Sequence, residues 1–70
     1  MKLSARNQLK GVVKAVEDGL ITSKVIIDLG GGNEIISIIS KQSIKELDLK
    51  PGKEAYAIIK STEVLVGIDD

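Results

Sequence analysis

The chain has 70 residues, with ten basic residues balanced by ten acidic ones, and it contains neither cysteine nor histidine. That length allows a single domain, and the two missing residue types exclude a disulfide framework, a thiolate metal site and the usual general base. Zero net charge and one aromatic residue, Tyr56, speak against a general nucleic-acid binder, which needs a basic excess and stacking platforms.

Hydrophobic residues make up 43% of the chain and are rich in Ile and Val, branched side chains that favour strands. A domain this small buries only about 60% of its unfolded surface, so an oligomer is expected to supply the missing burial. No apolar run approaches the ~20 residues of a membrane-spanning helix, and Met1-Lys2-Leu3-Ser4 lacks a signal-peptide core. The expectation is a soluble, cytoplasmic protein without membrane contact.

Residues 3–16 alternate, with Leu3, Ala5, Leu9, Gly11, Val13 and Ala15 on one face and Ser4, Arg6, Gln8, Lys10 and Lys14 on the other. This predicts a long first strand that Gly11 allows to bend or bulge. Glu17-Asp18-Gly19 reads as a turn. A second strand follows over residues 22–28, with Ser23, Val25, Ile27 and Leu29 sharing a face. Gly30-Gly31-Gly32-Asn33 is expected to form a tight hairpin; no lysine–serine/threonine pair follows, so a phosphate-loop role is disfavoured.

The third strand, residues 34–39, is apolar on both faces: Ile35 and Ile39 on one, Ile36 and Ile38 on the other. A strand of that kind is expected to be covered on both sides, the second cover being another subunit. Ser40 caps a short helix reaching Leu47, with Ile44 and Leu47 pointing inward. Residues 48–53, with Pro51-Gly52, form a loop and turn. The fourth strand covers residues 55–59 and a fifth covers residues 64–68, before a solvated Asp69-Asp70 tail. Five short antiparallel strands with one helix between the third and fourth predict an all-β, OB-like barrel.

Two polar clusters flank this framework. Ser4-Ala5-Arg6-Asn7 opens the first strand and Lys60-Ser61-Thr62 closes the fourth, each pairing a cation with a hydroxyl. Alternation puts Ser4 and Arg6 on one side of an extended chain, with Ala5 and Asn7 on the other. Brought together, the clusters would offer two positive charges and several neutral donors to a small dianion.

The same residues carry a resemblance. Ser4-Ala5-Arg6-Asn7-Gln8 with Leu9-Lys10-Gly11, then Glu34-Ile35-Ile36-Ser37-Ile38-Ile39-Ser40 with Lys41-Gln42-Ser43, is similar to the molbindins, the Mop-type molybdenum-pterin-binding proteins built on a TOBE-type oxyanion-binding domain. Leu49-Lys50-Pro51-Gly52-Lys53-Glu54 and Ile59-Lys60-Ser61-Thr62-Glu63-Val64 complete the pattern over nearly the whole chain. The resemblance implies an OB-like barrel exchanging strands in a homo-hexamer, a trimer of dimers. It also implies intracellular storage or buffering of molybdate or tungstate at sites between subunits.

Carried over by position, Ser4 and Arg6 contact the anion, while Ala5 and Asn7 give backbone or framing contacts. Lys60 and Ser61 complete the pocket, and Ser40 and Ser43 enter from the partner subunit. The metal arrives as an oxyanion, so no residue coordinates it directly, and no other cofactor is implied.

Simpler roles compete for several of these residues. Ser40 is explained as a helix cap, Ser43 as a first-turn residue, and Asn7 as a partner for backbone groups at the barrel edge. Tyr56 reads as core or interface, and Glu63 as facing solvent or pairing with a lysine. Lys10, Lys14 and Lys24 read as surface charges, unless they converge on a symmetry axis and draw anions inward. The rival function is a stand-alone OB module for nucleic acid or a protein partner. An enzyme is disfavoured, since the acids are scattered in turns and Lys60 and Ser61 would point to opposite faces of a strand.

Overall fold

Four antiparallel strands in the order β3-β2-β1-β4 form the sheet of the computed structural model, which describes residues 1–69. The elements are β1 (Asn7–Asp18), β2 (Thr22–Gly30), β3 (Asn33–Ser40), α1 (Lys41–Glu46) and β4 (Glu54–Ile59), followed by a 3-10 turn at Ser61–Glu63. The chain is thus mostly β with one short helix between the third and fourth strands, as expected.

Alternation sets the faces. Val13, Val25, Ile27 and Ala57 form the buried centre, with Leu29, Ile35, Ile39, Ile44 and Leu49 among the residues packed against it. Ser23 is buried with them, and its hydroxyl donates to an Asp18 carboxylate oxygen at 2.8 Å. Without that acceptor a buried hydroxyl would cost about 1–3 kcal/mol.

Gly11 is required by packing: a Cβ there would lie 2.5 Å from the Asp28 carbonyl oxygen and 2.6 Å from a methyl of Ile27. The bulge of β1 falls two residues further on, between Val13 and Ala15. There the Lys50–Lys53 turn docks, with the Gly52 N–H donating to the Val13 carbonyl at 2.9 Å and the Val13 N–H to the Lys53 carbonyl at 2.8 Å. Gly31 and Gly32 make the two-residue hairpin loop between β2 and β3 with φ of 63° and 83°, a left-handed pair suited to a primed turn.

Several expected boundaries shift. Residues 3–6 lie outside β1, because β4 ends opposite Asn7, at Ile59, and offers them no ladder partner. Pairing of Asp18 with Ser23 carries β1 through the expected turn, which closes instead with the Gly19 N–H donating to the Thr22 carbonyl.

The helix stops at Glu46, and Leu47 is 56% exposed instead of inward-facing. Ile36 and Ile38 on the outer face of β3 are 59% and 69% exposed in the single chain. Residues 64–68 form no strand with the chain's own sheet, so the fifth strand is absent from the single chain. Asp69 is exposed as expected, while Asp70 lies outside the described residues.

Candidate oxyanion-binding site

The pairing of β1 with β4 places Asn7 opposite Ile59. Residues just before β1 and just after β4 therefore emerge side by side. They line one shallow concavity made of Ser4, Ala5, Arg6, Ile58, Lys60, Ser61 and Thr62. Five of the eight expected site residues, Ser4, Ala5, Arg6, Lys60 and Ser61, meet there.

Charge in the concavity has one sign. Its lining includes two cations and no acid, and among the described residues neither Arg6 nor Lys60 belongs to an ion pair. The ion pairs among the described residues lie elsewhere: Lys10 with Glu54, Lys14 with Glu34, and Asp48 with Lys50 and Lys53. The hydrogen bond that Lys10 donates to the Glu54 carboxylate, reinforced by that group's charge, raises Lys10 above the ordinary lysine pKa, and Glu34 does the same for Lys14. These two lysines are thus neutralised on the outer face. Glu63 is exposed and forms no ion pair with a described residue.

Chemically, the concavity suits a tetrahedral dianion. A guanidinium can grip two oxygens in a planar fork and an ammonium supplies a compact charge. The hydroxyls of Ser4, Ser61 and Thr62 can donate without adding charge. Ile58 gives an apolar wall. The sequence had placed Thr62 in the second polar cluster without assigning it to the site, and strand alternation from Lys60 back to Ile58 was the available signal for the wall.

Asn7 does not line the concavity. Its side-chain amide donates to the Ile59 carbonyl at 3.3 Å, clasping the two strands behind the site. Gln8 folds over the same stretch, its amide donating to the Ala5 carbonyl at 3.1 Å.

Ser40 and Ser43 lie elsewhere in the single chain. Ser40 caps α1, its hydroxyl accepting from the Ser43 N–H at 3.1 Å and donating to the Ser43 hydroxyl at 2.9 Å. Ser40 pairs with Thr22 beside the Asp18 end of β1, whereas the concavity adjoins the Asn7 end. Over the 12 residues of β1, a rise of ~3.3 Å per residue separates the two places by up to about 36 Å.

Comparison with known proteins agrees with the fold. The TOBE domain family matches residues 3–66. A probable molybdenum-pterin-binding protein of Haemophilus influenzae is 56% identical over 69 residues, covering 99% of this chain and all of that protein. The chain belongs to the Mop-type, molybdenum-pterin-binding group of TOBE domains.

Two solved structures support the membership. MopII from Clostridium pasteurianum superposes with a TM-score of 0.88 at 46% identity, over 96% of this chain and 100% of that one. The cytoplasmic molybdate-binding protein ModG, in a form with molybdate bound, gives a TM-score of 0.92 at 45% identity, over 99% of this chain and 49% of that one. Among the described residues no helix is long and apolar enough to cross a membrane.

Proposed function

We infer that this protein binds molybdate, or tungstate, as a tetrahedral dianion in the concavity between residues 4–6 and 60–62. In this reading it stores or buffers the anion in the cytoplasm and catalyses no reaction. The observation that carries the reading is the convergence of Arg6 and Lys60, with three hydroxyl side chains and no acid, at the open ends of β1 and β4. Burying a dianion demands charge compensation and donors on several sides, and the concavity supplies both.

Ser4, Arg6, Lys60, Ser61 and Thr62 are assigned as direct donors, Ala5 as a framing residue and Asn7 as the clasp behind them. The concavity is shallow, so Ser40 and Ser43 would complete it only from a second copy. That requirement fits a homo-hexamer, a trimer of dimers with exchanged strands. Among the described residues of the single chain only four apolar ones are buried, and Ile36 and Ile38 stand on the outer face of an edge strand, a surface soluble monomers normally protect. The OB-module alternative gains no support: Tyr56, the chain's one aromatic, offers no series of stacking platforms.

Isothermal titration with molybdate, with sulfate as control and native mass spectrometry on the same sample, tests the reading. The expected result is tight molybdate binding at about one site or slightly more per subunit, carried by a hexamer. No molybdate heat, or equal affinity for sulfate, would overturn it.

A further inference from the structure

Each cation of the concavity follows a residue whose carbonyl is held by a side-chain amide. The Asn7 amide donates to the Ile59 carbonyl at 3.3 Å, and the Gln8 amide donates to the Ala5 carbonyl at 3.1 Å. Ile59 precedes Lys60, and Ala5 precedes Arg6. Two consecutive amides at the start of β1 thus clamp the two peptide units that lead into the two cations.

A peptide unit is planar, and in its trans form the C=O and the following N–H point to opposite sides. No cis peptide bond occurs among the described residues. A hold on the Ala5 carbonyl is therefore a hold on the Arg6 N–H, and a hold on the Ile59 carbonyl sets the Lys60 N–H. Among the described residues neither N–H donates to a backbone acceptor, whereas the Glu63 N–H is taken up by the Lys60 carbonyl. Arg6 and Lys60 both line the concavity.

The two peptide units differ in what else secures them. Ile59 lies in β4 opposite Asn7, so the strand ladder holds it even without the Asn7 amide. Ala5 precedes β1 and has no ladder partner. Gln8 is exposed and does not line the concavity. Its bond to Ala5 is its one link to the site.

We propose that Gln8 is a positioning residue for the oxyanion: by holding the Ala5 carbonyl it turns the Arg6 N–H into the concavity, as a neutral donor beside the guanidinium. The inference rests on the oxyanion reading above and adds a backbone donor to it. A fixed N–H gives a developing or bound negative charge a hydrogen bond without further reorganisation. Released from Gln8, the same peptide is free to turn, and ordering it on binding weakens the complex.

Calorimetric titration and ¹⁵N–¹H NMR of the intact protein with molybdate test the role. Gln8→Met keeps the length of the side chain and removes its donor. In the wild type, molybdate is expected to move the Arg6 and Lys60 amide protons downfield, as N–H groups donating to an anion. In the variant the Arg6 amide is expected to lose most of that shift while the Lys60 amide keeps it. Affinity should fall about three- to tenfold, the value of one hydrogen bond, with the thermal midpoint close to that of wild type.

An Arg6 amide that does not move in the wild type, with molybdate bound, would overturn the positioning role and leave the oxyanion reading standing. So would an Arg6 shift of wild-type size in Gln8→Met, whatever the affinity. Loss of both amide shifts together with a lowered thermal midpoint would make Gln8 a general structural residue, which also overturns the role. No molybdate bound by the wild type would overturn the oxyanion reading itself.

Discussion

Asn7 and Ile59 face one another across β1 and β4, and the Asn7 amide reaches the Ile59 carbonyl at 3.3 Å. That contact sets the separation of the two arms of the concavity. Asn7→Ala is expected to lower stability by about 0.5–1 kcal/mol, the low end for a hydrogen bond because this one is long. Molybdate affinity should drop only a few-fold. Urea denaturation and calorimetry check the pair of values, and a loss matching that of an Arg6 variant would make Asn7 a direct ligand.

Arg6→Ala removes the fork from the anion while touching no ion pair of the described fold. Molybdate affinity is expected to fall by tenfold or more, roughly 1.4 kcal/mol per factor of ten, with assembly in sedimentation largely intact. Affinity within about twofold of wild type would show that Arg6 does not hold the ligand.

Ser40 has two roles that substitution can separate. Ser40→Ala should cost about 1 kcal/mol through the lost helix cap. Ser40→Asp keeps a capping acceptor but would set a carboxylate beside any anion that Ser40 meets across an interface. Stability near wild type with molybdate affinity abolished is the expected outcome; unchanged affinity would confine Ser40 to the cap.

Gly11→Ala places a methyl 2.5 Å from the Asp28 carbonyl oxygen, a backbone atom that cannot swing away. Forcing β1 and β2 apart is expected to destabilise the fold by about 1–3 kcal/mol. A thermal midpoint unchanged by the substitution would show that the sheet relaxes there at little cost.

The Lys10–Glu54 and Lys14–Glu34 pairs give a pH signature. Both lysines have pKa values raised in the folded state, so their contribution is fully present below the unfolded-state lysine value and lost as pH rises through the folded one. Both pairs are exposed, and the effect is expected to be small. Denaturation midpoints compared between neutral and strongly alkaline pH should differ less in a Lys10→Gln, Lys14→Gln double variant than in wild type.

Much of the fold was legible because alternation is a local property. Ser23, Val25 and Ile27 share one face in the sequence pattern and are buried together, and the glycine hairpin and the Ser40 cap follow from turn and cap chemistry. What local pattern could not supply was the availability of partners. Residues 3–6 and 64–68 alternate well enough to be strands, yet neither finds a ladder in the single chain. Leu47 looked like a core position by helical spacing, but the helix ends one residue before it.

The candidate site was legible to a similar depth. Residue chemistry pointed to Ser4, Arg6, Lys60 and Ser61, and the register of β1 against β4 brings them together. Thr62 and Ile58 needed the geometry. Ser40 and Ser43 lie away from the concavity in the single chain, where the Ser40 hydroxyl caps α1 and its backbone pairs with Thr22.

β1 pairs with β4 through residues 7–12 and with β2 through residues 12–18, so Val12 alone is laddered on both sides. The sheet is in effect two ribbons crossing at one residue, backed by the turn docked at Val13. Amide protons of the β2–β3 ribbon and of the β1–β4 ribbon then belong to separate protection cohorts, and the ribbon bearing the concavity can fray while the other stays closed. The two ends of a single strand thereby belong to different ribbons, and the concavity sits on only one of them.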